Sequence, residues 1–142
     1  MYTFYSSTYI NNLIKINIKK EPGGAAILVV NADGHILLLR RAPESYFAPD
    51  KWGYPGGKIE DGETALEAAI RETEEETQLK VDNVKPVGVF NDAVVAFYSD
   101  KFDGDVEIDF EHTDWKWVPP DQIESYDLAP SVLDIYKKVI SV

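Results

Sequence analysis

Two periods of apolar and polar residues run along the chain. In residues 13–19 (LIKINIK), Ile14, Ile16 and Ile18 fall on one face and Lys15, Asn17 and Lys19 on the other. That two-residue period predicts a half-buried strand, ended by Pro22-Gly23-Gly24. Residues 25–30 (AAILVV) are uninterruptedly apolar, which predicts a central strand. Asn31 to Gly34 reads as a turn and residues 35–41 (HILLLRR) as a second strand. Residues 42–62, rich in Pro, Gly and aromatics, read as a structured loop. Strands follow at about 84–90 and 93–99. Residues 105–111 alternate again, Val106, Ile108 and Phe110 opposing Glu107, Asp109 and Glu111. A short strand at 115–118 stops at Pro119-Pro120, and a short helix is expected over 120–125. A last helix starts near Pro130, with Val132, Ile135, Tyr136 and Val139 on one face.

The helical period is clearest from Thr64 to about Thr77. Thr64 is a candidate N-cap, with Glu67 three residues on as its capping-box partner. At 100° per residue, Leu66, Ile70, Thr73 and Thr77 share a face, with Ala69 at its edge. That face is expected to meet the sheet. Glu72, Glu75 and Glu76 share a second stripe, flanked by Ala65 and Ala68, whose small size leaves room for something to approach. Glu67 and Glu74 point to a third, solvated side. Two unit charges at ~6 Å repel by roughly 3 kcal/mol at a near-surface dielectric, so the stripe asks for a counter-charge. Oxygen ligands without sulfur or histidine suit a hard cation such as Mg²⁺ or Mn²⁺. Pro55-Gly56-Gly57 lets the backbone come close to a ligand, Lys58 adds a positive charge, and Arg71 can orient Glu63 or Glu72 by paired hydrogen bonds.

The 142 residues suit one domain and contain no cysteine, which excludes disulfides, thiolate metal sites and cysteine nucleophiles. The net charge of −11 argues against long nucleic acids and anionic membranes as partners. No stretch approaches the roughly 20 apolar residues of a membrane span, and the start lacks the pattern of a signal peptide, so a soluble cytoplasmic protein is expected. The acidity is concentrated. Residues 58–76 hold eight acids against two bases, residues 100–114 seven against one, and the remaining chain is net +1.

Gly57, Glu63, Arg71-Glu72, Glu75-Glu76 and Leu79 stand at the spacings G-x5-E-x7-R-E-U-x-E-E-x-G-U, where U is a bulky apolar residue. The six matches other than Leu79 arise by chance on the order of once in ten million start positions. This segment resembles the signature of the Nudix hydrolases. Two positions depart from it: Thr73 stands where an apolar residue is usual, and Gln78 where glycine is usual. The LLLRRA and WKWVPPDQI segments extend the resemblance to about residues 22–142, and YPGGKIEDGET is most similar to MutT-type nucleoside triphosphate pyrophosphohydrolases. Residues 1–21 lie outside it, as an N-terminal extension or an edge strand.

The resemblance implies a single α/β domain, a Nudix-like α/β/α sandwich with a central mixed β-sheet and a catalytic loop-helix. It implies a small nucleotide substrate and Mg²⁺, with Mn²⁺ as a possible substitute. By position, Glu72, Glu75 and Glu76 would hold the metal with the Gly56 carbonyl, and Glu63 and Arg71 would complete the catalytic group. A carboxylate, Glu72 or one from a later loop, would deprotonate water, and Glu111 is the later candidate. Arg41, Lys58, Gly57 and Ser131 are the candidate substrate contacts. Arg41 is chosen over Arg40 because neighbouring strand residues point to opposite faces. Tyr46, Phe47, Trp52, Tyr54 and Phe90 are candidates for base stacking. His112 is expected to be a hydrogen-bonding partner outside any metal cluster, since His35 is the only other histidine. The favoured reaction converts a (deoxy)nucleoside triphosphate to a monophosphate and pyrophosphate. A dinucleoside polyphosphate or nucleotide-sugar hydrolase is the alternative on the same fold, and a non-catalytic nucleotide-sensing module the alternative of another class. The sequence leaves the oligomeric state open.

Overall fold

The computed structural model describes residues 22–141. The strand expected at 13–19 therefore lies outside the described residues. The elements run β1 (Gly24–Val29), β2 (Ile36–Arg41), β3 (Trp52–Gly53), β4 (Gly56–Lys58), α1 (Ala65–Thr77), β5 (Lys80–Asp82), β6 (Lys85–Phe90), β7 (Val94–Ser99), β8 (Lys101–Asp103), β9 (His112–Val118), a 3₁₀ helix (Pro120–Ser125) and α2 (Val132–Ile140).

The apolar runs 25–30 and 36–39 are continuous because both strands are covered on both faces. Ala25, Ile27 and Val29 of β1, with Leu37 and Leu39 of β2, join Ala68 and Ala69 of α1 in one core. Leu28 of β1, with Ile36 and Leu38 of β2, joins Ile123, Val132 and Ile135 of the C-terminal helices in a second core. The result is an α/β/α sandwich. β1 pairs in parallel with β7 and antiparallel with β4, in a mixed sheet of order β4-β1-β7-β6. β2 belongs to a separate antiparallel sheet, β3-β2-β9, although a tight turn joins it to β1. In that turn the Asn31 side chain accepts the amides of Asp33 (3.0 Å) and His35 (2.9 Å). β5 and β8 form a small third sheet.

The helix expected at 64–77 forms, and both halves of the Thr64/Glu67 capping box are made. Its inward face, however, is turned from the one projected. Ala68, Ala69, Thr73, Glu76 and Thr77 are buried, whereas Leu66 is exposed. Alanines at the contact let α1 lie close over β1 and β4. They fill the interface instead of leaving room for a ligand. Thr73 is buried without cost because its hydroxyl donates to the Ala69 carbonyl (2.7 Å), leaving its methyl to pack.

Residues 105–111 do not form a strand. Val106 and Ile108 pack on the first core as their alternation demands, but Phe110 is exposed. Among the described residues no strand pairs with this segment, and the Glu107 amide donates to the Thr77 carbonyl at the end of α1 (2.9 Å). β5 and β8, three residues each, were too short to carry a readable period.

Gln78, at the glycine position, takes the left-handed conformation that glycine adopts freely (φ 64°, ψ 11°), and its amide donates to the Glu74 carbonyl (2.8 Å). A non-glycine residue there is strained by about 1 kcal/mol. Gln78→Gly is expected to raise the unfolding free energy by about that amount in a denaturant titration. A drop in stability would show that the Gln side chain makes contacts that outweigh the backbone strain.

Candidate functional site

One cavity of about 570 Å³ collects residues from β1, β2, β4, α1, β9 and the start of α2. Of the residues singled out from sequence, Arg41, Gly56, Gly57, Lys58, Glu72, Glu76, Glu111 and Ser131 line it. Glu63, Arg71 and Glu75 do not.

Glycine is required at the floor for space. A Cβ on Gly56 would come within 2.4 Å of the Ala25 carbonyl oxygen and 2.7 Å of the Ala26 Cα, so β4 could not lie on β1. A Cβ on Gly57 would fall 1.7 Å from Glu72 Oε2. The Glu72 carboxylate thus occupies the place a side chain would take. From the next turn of α1, Glu76 reaches the same loop, and the Gly56 amide donates to its Oε1 (2.9 Å). This contact is made by the Gly56 amide and leaves its carbonyl, the expected metal ligand, without a test.

Arg71 binds the loop to the helix from outside the cavity. Its Nε donates to Glu63 Oε2 (2.6 Å) and its Nη2 to Glu63 Oε1 (3.0 Å) and to the Lys58 carbonyl (3.0 Å). Its Nη1 donates to both Glu75 oxygens (3.2 Å each) and lies 3.6 Å from Glu72 Oε1. Glu63 is therefore the bidentate partner, and Glu75 is turned away from the cavity. The paired bonds from Arg71, with the Glu60 amide, hold the Glu63 carboxyl well below its usual range, at about 2.

Arg40 faces solvent and pairs with Asp50. Arg41 lines the cavity, its Nε donating to the Phe47 carbonyl (2.6 Å) and its guanidinium lying 5.6 Å from the Phe47 ring centroid. Of the candidate stacking residues, Phe47 and Tyr54 line the cavity. Tyr46 is fully exposed, Trp52 packs edge-on against Tyr126 and Phe90 packs on the second core. The Tyr54 hydroxyl donates to the Val132 carbonyl (2.8 Å), and burial pushes its ionisation upward.

Two cavity features were not foreseen. Asn91 and Asp92 both have positive φ (54° and 53°) in the three-residue β6–β7 turn, which the Ala93 amide closes onto the Phe90 carbonyl (3.0 Å), and Asn91 Nδ2 donates to Ser131 Oγ. Ser131 itself is left-handed (φ 74°) at the entry to α2. The second feature concerns His112, which is a hydrogen-bonding partner as expected. Its ring is buried, and its Nδ1 lies 2.8 Å from Asp109 Oδ1. Ligand atoms of Glu76, Asp109 and His112 all lie within 4.8 Å of one another. Carboxylates, not a second histidine, bring His112 into a possible metal cluster. An Asp three residues before a His was the available signal.

The donor set fits a divalent cation on electrostatic grounds. Burial pushes the Glu76 carboxyl up to about 9, and Glu72, Asp109 and Glu111 push the same way against the Gly56 amide. Burial likewise raises Glu72, with Glu75 and Glu111 adding to it against Arg71. A cation among these oxygens would reverse the penalty on the ionised forms.

The family model described as "NUDIX domain" matches residues 20–139. Over 118 residues the chain is 31% identical to the nucleoside triphosphatase NudI of Salmonella agona, covering 70% of this chain and 84% of that protein. A 61-residue stretch is 43% identical to the m7GpppN-mRNA hydrolase NUDT17 of Xenopus laevis, covering 43% of this chain and only 21% of that longer protein. Among solved structures, the MutT protein of Methanosarcina mazei superposes with a TM-score of 0.68 at 27% identity, over 86% of this chain and 96% of that one.

The shifted carboxyls dictate opposite pH responses. Glu63 ionises more readily folded than unfolded, so its contribution is complete above about 4.5 and is lost as pH falls toward 2. Glu76 ionises less readily when folded. Between about 4.5 and 9 the native state binds the extra proton, so stability falls as pH rises through that window. Thermal melts without divalent cations should show this fall, Glu76→Gln should remove it, and saturating Mg²⁺ should flatten it. A slope unchanged by Glu76→Gln would dismiss Glu76 as its source.

Proposed function

The chain belongs to the Nudix hydrolases, enzymes that act on pyrophosphate bonds of small nucleotides, and we propose that its substrate is a nucleoside or deoxynucleoside triphosphate, hydrolysed to the monophosphate and pyrophosphate. The observation that carries the reading is the placement of Glu72, Glu76 and Glu111 in the same cavity as the cations Arg41 and Lys58. Carboxylates alone would repel a triphosphate. Carboxylates loaded with a dication, facing an arginine and a lysine, attract one.

Glu72 and Glu76 are the proposed metal ligands on the floor, with Glu111 opposite and Glu75 joining them on leaving Arg71. Mg²⁺, or Mn²⁺ in its place, would neutralise phosphate oxygens and ease deprotonation of the attacking water. The protein's own part is positional. Arg71 and Glu63 lock the loop 58–63 onto α1, so that Gly57 stays against Glu72. Arg41 and Lys58 hold the phosphate chain across the cavity. Glu72 or Glu111 takes the water proton on a carboxylate oxygen, a contribution of typically 10²–10⁴ in rate. The cavity volume lies within the usual range for a small-molecule site, and its apolar wall at Tyr54, Ala129 and Val132 suits a nucleoside. The triphosphate assignment draws on NudI, whose name is that of a nucleoside triphosphatase, and on the MutT likeness.

A panel of canonical and oxidised nucleoside triphosphates, dinucleoside polyphosphates and nucleotide sugars, assayed with Mg²⁺ and product identification, tests the assignment. Monophosphate and pyrophosphate from a triphosphate are expected. Glu75→Gln and Glu76→Gln should each abolish metal-dependent turnover with the fold intact, and full activity in both would sink the site. Between Glu72→Gln and Glu111→Gln, the variant that loses the basic limb of the pH–rate profile identifies the base. Turnover of dinucleoside polyphosphates alone would replace the triphosphate by the longer substrate.

A further inference from the structure

The turn that brings Glu111 to the cavity is held by more contacts than a surface turn needs. We propose that Asp109 and His112 are positioning residues for Glu111: the buried His112 ring fixes the Asp109 carboxylate, and that carboxylate fixes the backbone from which Glu111 is aimed into the cavity. The proposal rests on the reading of Glu111 as a working carboxylate of the hydrolysis and adds the two residues that aim it.

Glu111 lines the cavity but is itself an exposed residue. Among the described residues its carboxylate takes part in no hydrogen bond or ion pair, so its direction is set by its backbone. That backbone is fixed on both sides. The Glu111 amide donates to Asp109 Oδ1 (3.3 Å), and the His112 amide donates to the Asp109 carbonyl (3.3 Å). The Glu111 carbonyl accepts from the Ala42 amide, just past β2 (3.0 Å). His112 Nδ1 lies 2.8 Å from the same Asp109 Oδ1. A carboxylate only accepts, so Nδ1 carries the hydrogen and donates it. One oxygen therefore ties the Glu111 amide to the imidazole. The turn also starts from a fixed point, because Ile108 packs on the first core and the Glu107 amide is bonded to Thr77.

The placement of His112 shows that the turn serves the cavity. Simple alternation along β9 would put His112 on the same face as Asp114, whose partner Arg40 is exposed. The register shifts instead. Arg40 pairs with Asp114 and Arg41 with His112, so Thr113 is the extra residue of a bulge. Residues directly opposite in an antiparallel pair share a face, and the bulge thus turns His112 to the side of Arg41, where both line the cavity. A turn closed by an aspartate alone needs neither the imidazole nor the bulge. The His112 side chain is only 3% exposed, and Asp109 is its one polar side-chain partner among the described residues. Giving up hydration for that single contact is unfavourable unless the contact holds something in place.

Kinetics of the whole chain with Mg²⁺ and the nucleotide it turns over, together with ¹⁵N spectra of the histidines in the metal-free protein, test this. Asp109→Ala should lower kcat about 100-fold, the scale of a displaced reacting group, with KM within about twofold. Asp109→Asn keeps an acceptor oxygen and should recover about tenfold of that loss. Added to Glu111→Gln, Asp109→Ala should cost no more than about twofold further, since nothing is left to aim. The chain has only two histidines, so His35→Gln identifies the His112 signals. At a pH where the ring is neutral, they should show the hydrogen on Nδ1. Full activity in Asp109→Ala, no recovery in Asp109→Asn, an additive loss in the double variant, or a ring with its hydrogen on Nε2 would overturn the positioning role and leave the carboxylate floor standing. Full activity in Glu111→Gln would overturn it by removing Glu111 from the reaction. A wild-type chain that hydrolyses no pyrophosphate bond would overturn both readings. If Asp109→Ala does not fold, the same cycle is run with His112→Gln, and the same outcomes decide.

Discussion

The Gly56 amide can reach Glu76 only because the layers it bridges are thin at the point of contact. Gly56 lies so close to Ala25 and Ala26 that no β-carbon fits, and Gly57 so close to Glu72 that the carboxylate fills the gap. On the helix side, Ala68 and Ala69 meet the sheet. Larger residues at any of these positions would lift α1 from β4 and carry its acids away from the loop. Close packing of small residues is thus what converts an acidic helix into the floor of a cavity. A helix with Leu66 turned inward would have been better anchored by burial, but its glutamates would have faced water.

The electrostatic consequence is asymmetric. On the outer side of α1, Arg71 gathers Glu63, Glu75 and the Lys58 carbonyl into a closed set of charge-assisted bonds. On the cavity side, Glu72, Glu76 and Glu111 accept no hydrogen bond from a cationic side chain among the described residues, and burial disfavours the ionised forms of Glu72 and Glu76. Two populations of carboxylate one helical turn apart therefore have opposite tendencies. One is satisfied within the protein, and the ionised forms of the other are disfavoured in a way that a cation would relieve.

The sequence carried the acidic stripe, the capping box and the glycine loop legibly, because fixed spacings on one helix determine which side chains sit together. It misplaced the helix by a fraction of a turn, because a projection weights Leu66 and Ile70 by apolarity whereas the contact selects Ala68 and Ala69 by size. It assigned a strand to 105–111, because period two describes any extended segment with one side on a core, with or without a ladder. The Asp109–His112 pair was near in sequence, but its third member comes from α1, and no local pattern joins the two. Asn91 left no trace beyond a turn, since its role at the cavity depends on a left-handed serine 40 residues later.

The Asn91–Ser131 hydrogen bond joins two residues that line the cavity and come from elements other than α1. Both residues are non-glycine and left-handed, one in a hairpin and the other at a helix entry, so each holds the other in a sparsely populated conformation. Neither belongs to the Arg71 network or to the carboxylate floor. This gives the cavity a division of labour: one wall carries the ionic machinery, and the other is a pair of surface loops latched by a single side-chain contact. A change at the latch would therefore alter the shape of that wall without displacing the charges on the other.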